Sequence, residues 1–578
     1  MEKCTNKHVI CRANMKLSDF IAGRLREETD VIFGFQGSSI SHLIDSICSA
    51  GIKYVQNYHE QASAFAACGY AETNYQLGVA ISCSGPGATN LITGIANAFY
   101  DSLPCLFISG QVSTHEMKNN AARQNGFQET KILDIIRPIT KYCVEIIDPS
   151  TIKYELEKCI AIAKSGRPGP TFISLPHDIQ SAQIDVDKLE SYENERIGYE
   201  WNEIDAIANL IRKAKKPLFI IGGGAHGIKN NQEFQKFCAK YRIPYVASLR
   251  GLNNVPFDSE YVGFIGVYGN REANLAVYKS DLLIVLGSRL DSRQTGGVIA
   301  NFAPEATIVQ VDIDAKEINR DIQADYALQG DCIQFIQQLY QATLNDFDKS
   351  FSEWHQSIRL IKDASVEGYD REGVNPMEFV RHLHQVFSEH EVIVSTDVGQ
   401  NQMWVAQAVR MKGASSFLTS GGHGSMGYSL PAIIGGYYAS HGRKHLISYM
   451  GDGGFQMNLQ ELETLKRETI PATIVVFVNN SLGLIRDYQE KALGNRVNGS
   501  VWGFSVPDLK ALAECYDLDF IEVSNQDFSQ VNDESLFNKR VLIKVNVSGT
   551  SIISPELAYQ KPIYDQRPHI DLSFLNEI

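Results

Sequence analysis

Residues 449–480 read YMGDGGFQMNLQELETLKRETIPATIVVFVNN. An apolar run ends in an aspartate set between glycines, Asp452. A segment with apolar positions at helical spacing follows, and a second apolar run closes on two asparagines, Asn479 and Asn480. That is the pattern of strand, helix, strand. Parallel neighbours need such a crossover, so both polar ends emerge at one edge of a sheet. Asp452, the side-chain carbonyl of Asn479 and a backbone carbonyl just beyond it make a hard-oxygen set of the kind Mg²⁺ takes together with phosphate oxygens. Gly451, Gly453 and Gly454 leave room for phosphate beside the backbone and the following helix N-terminus. Taken singly, Asp452 reads as a helix cap and Asn479 as a turn residue. The pair at this spacing argues for a site.

The same rhythm runs through the whole chain. VIFGF, GVAIS, CLFISG and TFISLP alternate with helical segments in the first part. PLFII, PYVAS, DLLIVLG and TIVQVD do so in the middle, and VIVST, HLISYMG, ATIVVFV and VLIKVNV in the last. Short β-rich runs alternating with helices predict an α/β protein with three doubly wound parallel-sheet domains. The expected spans are 15–182, 200–345 and 375–550, with a tail over 551–578. The charged stretch DVDKLESYENERIGYEWNE and the polar stretch near NDFDKSFSEWHQ read as links. No residue-level repeat relates the first part to the third. Ligands of such sheets lie beyond the carboxyl ends of the strands, which is where SGPGATN, IGGGAHG, DVGQNQ and GDGG fall.

The totals exclude other classes. At 578 residues the chain exceeds one core, and about 150 residues per domain gives three or four. A net charge of −14 without a long basic run argues against nucleic acid as a partner. No apolar run approaches the ~20 residues of a membrane span, and the N-terminal stretch lacks a signal-peptide core. Eleven cysteines, odd in number and without a C-x-x-C pair, fit reduced thiols. The expectation is a cytoplasmic protein without membrane contact.

GDGGFQMNLQEL, GGHGSMGYSLPAIIG and DVGQNQMW together resemble the thiamine diphosphate-dependent enzymes, and among them the large (catalytic) subunit of acetolactate synthase. The resemblance extends from about Lys16 to Val547, with its motifs in the family's order. It implies a pyrimidine-binding, a central FAD-type and a diphosphate-binding domain. It also implies decarboxylation of a 2-keto acid, pyruvate, with ligation of the two-carbon unit to an acceptor carbonyl. Asp452, Asn479 and the Ser481 carbonyl would hold Mg²⁺. Glu60 would meet the aminopyrimidine ring, and Met426 would wedge the cofactor into its bent form. Phe127 and Gln128 would lie near the reacting carbons. Asn90, Val398, Gly399, Gln400, Asn401, Gly424, Gly451, Gly453, Gly454, Leu482 and Gly483 would line the thiamine diphosphate site.

In the middle domain GSRLDSRQTGG supplies guanidinium groups at a strand end, suited to a diphosphate. By resemblance FAD would sit there, against Gly223, Gly224, Ser248, Leu249, Arg289, Asp291, Arg293, Asp312 and Asp331. Its role would be largely structural, and Arg289 would meet the acceptor's carboxylate. The resemblance further implies a homodimer or homotetramer with active sites at the subunit interface, and leaves room for a regulatory subunit. The chain departs from the family at His177, where a lysine is usual, at Tyr488, where a tryptophan is usual, and at Phe35–Ser38, FQGS in place of YPGG. These departures fall on the acceptor pocket. A ketosugar acceptor, simple decarboxylation or carbon–carbon hydrolysis, a non-catalytic thiamine-binding subunit and a nicotinamide dehydrogenase are the competing readings.

Overall fold

The computed structural model describes residues 14–117, 122–194, 198–343, 350–364, 372–557 and 560–570. Three six-stranded sheets carry the chain, and every pairing within them is parallel. The first sheet runs Lys53–Gln56, Val31–Gly34, Gly78–Ser82, Cys105–Gln111, Thr171–Pro176, Tyr142–Glu145. The third runs Ser416–Thr419, Val392–Thr396, His445–Gly451, Ala472–Val478, Arg540–Asn546, Asp519–Val523. Numbered by chain order within each sheet, both have the order 2-1-3-4-6-5. The middle sheet runs Tyr261–Phe264, Tyr245–Ala247, Pro217–Ile221, Leu282–Leu286, Thr307–Asp312, Tyr326–Gln329. This is 3-2-1-4-5-6, the order of dinucleotide-binding folds. First and third domains thus share a topology that their residues do not reveal.

The apolar runs of the sequence form the inner four strands of each sheet, and the edge strands are additions to the expectation. Inner strands such as Gly78–Ser82, Leu282–Leu286 and Ala472–Val478 are buried at every position, because helices cover both faces. Edge strands such as Tyr142–Glu145 and Tyr326–Gln329 are partly exposed and lack that apolar signature.

Two compact units emerge from the packing: one is made of 1–71, 76–99 and 103–196, the other of 72–75, 100–102 and 197–578. The first has its own core around Ile32, Leu106, Ile108 and Ile173. In the second a continuous apolar core runs through both sheets, from Ile207 and Ile284 to Trp404 and Phe477.

The second polar link needs correction. Its first part, 344–349, lies outside the described residues, as do 195–197 of the first link and 571–578 of the tail. From Ser352, however, the chain forms the helix Ser352–Ala364. Phe351, Trp354, Ile358 and Ile361 are buried there, a helical stripe hidden among charges. The tail is tied down. Leu557 N–H donates to Val267 O at 2.7 Å, Gly297 N–H to Lys561 O at 3.1 Å, and Arg271 donates to Gln566 O at 3.2 Å and Pro568 O at 2.6 Å. Among the described residues no helix is long and apolar enough to cross a membrane, and every cysteine is a free thiol.

Candidate active site

His445–Gly451 and Ala472–Val478 are adjacent parallel strands, with Gly451 level with Phe477. Asp452 and Asn479 therefore leave the sheet side by side. The carboxylate of Asp452 accepts the backbone N–H of Asn479 at 3.1 Å and of Asn480 at 2.8 Å. Asn480 reaches this position in the left-handed region, φ 53°, which asparagine tolerates better than most residues. Burial pushes the Asp452 carboxyl up to about 6, with the two N–H groups opposing the rise. Backbone hydrogen bonds do not offset its desolvation, whereas a divalent cation would. The helical segment that follows breaks in two, Asp452–Met457 and Glu461–Arg467. At the break Asn458 turns its amide to Gly427 O, at 2.8 Å.

The amide of Asn479 is oriented by a clasp. Its Nδ2 donates to Gln400 Oε1 at 3.2 Å and to Ser551 Oγ at 3.3 Å, while its Oδ1 accepts Ser481 N–H at 3.1 Å. Ser551 Oγ also donates to Gln400 Oε1 at 3.1 Å, and Gln400 Nε2 donates to Ser551 O at 2.8 Å. Arg486, buried, donates to Ser481 Oγ at 3.4 Å and to the carbonyls of Gly549 and Ser551. Gln400 thus spends its side chain on positioning Asn479. Asn401 differs: its Oδ1 is buried without a hydrogen-bond partner among the described residues. Its Nδ2 lies against Gly399 and Gly451, 2.9 and 3.5 Å from where a Cβ on each would stand. An orphaned acceptor, glycines that leave the strand ends bare, and one carboxylate with amide and main-chain oxygens fit a phosphate-bound Mg²⁺. No group of three His, Cys, Asp or Glu with metal-site geometry occurs among the described residues.

Above the GDGG turn stands Met426. A Cβ on Gly453 would meet Leu482 Cδ2 at 2.5 Å and Met426 Cε at 3.4 Å, so these three expected residues share one wall. Gly424, at φ 73°, has open space before it. The loop is anchored by Asp397, which is fully buried and accepts three backbone N–H groups: Val398 at 3.0 Å, Gly427 at 2.9 Å and Ser429 at 3.1 Å. Its Oδ1 also lies 2.4 Å from where a Cβ on Gly454 would stand. One carboxylate thereby joins the loops of Val398, Met426 and Gly454.

Four further expected residues belong to the first unit. Glu60 opens the helix Glu60–Asn74 and is buried. Asn90 Nδ2 donates to Glu60 Oε2 at 2.9 Å, and a Cβ on Gly87 would stand 3.3 Å from Glu60 Oε1. Gln128 packs on Gly85, where a Cβ would meet its backbone oxygen at 2.9 Å, and adopts a strained φ of 63°. Phe127 beside it is 86 % exposed.

In the middle sheet the expected nucleotide residues lie at or just beyond strand carboxyl ends. A Cβ on Gly222 would stand 2.1 Å from Gly287 O, and Gly224 N–H donates to that oxygen at 2.9 Å. The glycines bring two backbones together at the point where the strand order reverses. Asp291 caps the helix Ser292–Thr295 through Arg293 N–H and pairs with Arg289 at 2.7 Å. Asp312 and Asp331 bind the N–H groups of Asp314, and of Ile333 and Gln334. Ser248 takes Gly251 N–H at 3.1 Å. Leu249 follows it, and Arg293 is exposed.

Family models match all three parts of the chain. They are the thiamine pyrophosphate enzyme N-terminal TPP binding domain over 15–135, the central domain over 204–339 and the C-terminal TPP binding domain over 397–545. A probable acetolactate synthase large subunit of Methanocaldococcus jannaschii is 37% identical over 519 residues, 87% of this chain and 86% of that one. The acetolactate synthase isozyme 2 large subunit of Escherichia coli K12 is 33% identical over 529 residues, 91% of this chain and 94% of that one. The acetolactate synthase large subunit of Lactococcus lactis is 34% identical over 506 residues, 86% of each. The chain belongs to this family of thiamine pyrophosphate enzymes.

As a thiamine diphosphate-dependent acetolactate synthase relative, the protein is better described by carboligation than by the dehydrogenase, scaffold or hydrolase readings. Tyr488 is 62 % exposed on the helix Gly483–Ala492. His177 starts a short helix and lies 5.0 Å, ring to ring, from His42. Asp397, Arg486 and Ser551 went unassigned by the sequence, although Asp397 stands in the quoted DVGQNQMW. Nothing in a sequence separates a buried carboxylate that holds loops from one that holds a ligand.

Proposed function

We propose that the enzyme decarboxylates pyruvate and joins the two-carbon unit to a second pyruvate, giving 2-acetolactate. The observation that carries this is the convergence of Asp452 and Asn479 on one sheet edge, with an amide clasp that fixes the Asn479 side chain there. When bound, thiamine diphosphate supplies an electron sink that makes loss of CO₂ from a 2-keto acid accessible. Asp452, Asn479 and the Ser481 carbonyl would hold Mg²⁺, and Val398, Gly399, Asn401 and the GDGG glycines would cradle the diphosphate. Glu60, held by Asn90, would share a proton with a cofactor ring nitrogen. Met426 and Leu482 would keep water from the reacting carbons, and Phe127 and Gln128 would orient the acceptor with Arg289 on its carboxylate.

The middle sheet would hold FAD across the crevice between Gly222–Gly224 and Gly287–Asp291, as a structural group, since the reaction transfers no net electrons. The domains would be bounded at 15–182, 200–345 and 375–550. Two copies would complete each site, which accounts for the open Phe127. The test is CO₂ release and acetolactate formation from pyruvate with Mg²⁺, thiamine diphosphate and FAD. Both products are expected, with Glu60→Gln lowering turnover by about 10²- to 10⁴-fold at undiminished cofactor binding. Saturated enzyme that releases no CO₂ would overturn the assignment.

A further inference from the structure

The loop from Ser420 to Tyr428, which carries Gly424 and Met426, is held at both ends by buried carboxylates that share one arginine. At its start Asp101 accepts Gly421 N–H at 3.3 Å and Gly422 N–H at 2.7 Å. At its end Tyr428 donates its hydroxyl to Glu72 Oε2 at 2.8 Å. Arg250 is ion-paired to both: its Nη1 to Glu72 Oε1, and its Nε to Asp101 Oδ1 at 3.6 Å. It also donates to Thr419 O at 3.0 Å and to Asp101 O at 3.3 Å. Glu72 and Asp101 are almost wholly buried, so each depends on its partners for charge compensation.

Arg250 belongs to the middle domain, directly after Ser248 and Leu249. Its stem is wedged between two glycines. A Cβ on Gly223, at the nucleotide crevice, would stand 2.8 Å from Arg250 Cβ, and a Cβ on Gly421 would stand 2.6 Å from Arg250 Cγ. A side chain at either position would crowd the arginine's stem, and glycine leaves it room. A ligand on the Gly223 side would bear on the arginine, which is tied to the loop through both carboxylates.

We propose that Arg250 is a positioning residue that couples occupancy of the nucleotide crevice to the placement of the Met426 loop. This rests on the reading of the two cofactor sites given above. It assigns the flavin a task in an overall reaction without net redox change: holding the loop in the arrangement that receives thiamine diphosphate. Lysine keeps one positive charge but cannot reach two carboxylates and a carbonyl in a planar fork, so it should restore the coupling only in part.

The test uses full-length protein freed of flavin. Calorimetry measures thiamine diphosphate affinity in excess Mg²⁺ with and without FAD, and FAD affinity with and without thiamine diphosphate–Mg²⁺. In the wild type FAD should tighten thiamine diphosphate by about 5- to 150-fold, and the reciprocal factor must be equal. Arg250→Met should bind both cofactors with no mutual effect, and Arg250→Lys should fall between. Should Arg250→Met not fold, Asp101→Asn, which keeps the side-chain shape, should show a reduced factor. A wild type that binds both cofactors independently, or a variant with the wild-type factor, overturns the proposal while leaving the site assignments intact. A wild type that takes up no FAD or no thiamine diphosphate fails the site reading itself and the proposal with it.

Discussion

Asp397→Asn exposes how the enzyme holds its loops. In the wild type Asp397 Oδ1 accepts two backbone N–H groups and Oδ2 one, from Ser429. The asparagine keeps the first two and turns an NH₂ toward the third, leaving a buried donor without a partner at a cost of about 1–3 kcal/mol. Against this stands the desolvation of the carboxylate, which burial pushes from 3.8 up to about 6. A carboxyl raised on folding favours the fold when protonated. That contribution is fully present below the unfolded value and is lost as pH rises through about 6, reaching on the order of 3 kcal/mol at pH 7. The two effects nearly cancel at neutral pH. Linkage places about 1 kcal/mol of the change between pH 5 and pH 7. Asp397→Asn should therefore be nearly as stable as the wild type at pH 7 and less stable by about that amount more at pH 5. Urea unfolding of both proteins without cofactors, followed by the fluorescence of buried Trp404 in the same domain, measures the difference. A stability gap independent of pH would refute the reasoning, and so would a gap at pH 7 larger than the unpaired donor accounts for.

Further outcomes follow from the same geometry. Ser551→Ala removes one hydroxyl from the Asn479 clasp and should weaken thiamine diphosphate–Mg²⁺ binding roughly 2- to 10-fold, the equivalent of about 0.5–1.5 kcal/mol, as read by titration calorimetry. Gly454→Ala gains up to about 1 kcal/mol of helix propensity but drives a Cβ to 2.4 Å from Asp397 Oδ1. The clash should win, lowering both the thermal midpoint and thiamine diphosphate uptake. Lys229 is buried, its amine donating among the described residues to Ser415 O at 2.8 Å and Asn253 Oδ1 at 3.4 Å, and burial pushes it down to about 7. An amine lowered on folding makes the fold gain stability as pH rises from 7 toward 10.5. Lys229→Met should raise the thermal midpoint at pH 7, and its advantage over the wild type should shrink by pH 9.

The inner strands were legible because burial on both faces demands unbroken β-branched and aromatic runs, and the runs ending at Ser82, Leu286, Gly451 and Val478 show them. The edge strands were not. Lys53–Gln56 and Tyr326–Gln329 each bury a single position, and a largely uncovered strand of four residues looks like loop. The helix Ser352–Ala364 was hidden in the same way, its apolar stripe diluted by charge. Asp452 and Asn479 were legible as a pair because parallel topology forces the ends of neighbouring strands to one edge.

By itself, then, the chain's order of apolar runs, glycine turns and polar strand ends determined three parallel α/β layers, their ligand edges and the family. What the tertiary structure alone decided is which polar residues serve those edges from a distance. Ser551 reaches Asn479 across 72 residues and Arg250 reaches Glu72 across 178. The physical reason is that strand and helix periodicities are local properties of the chain. The pairing of buried donors and acceptors is set by packing, which brings together residues that no spacing rule connects.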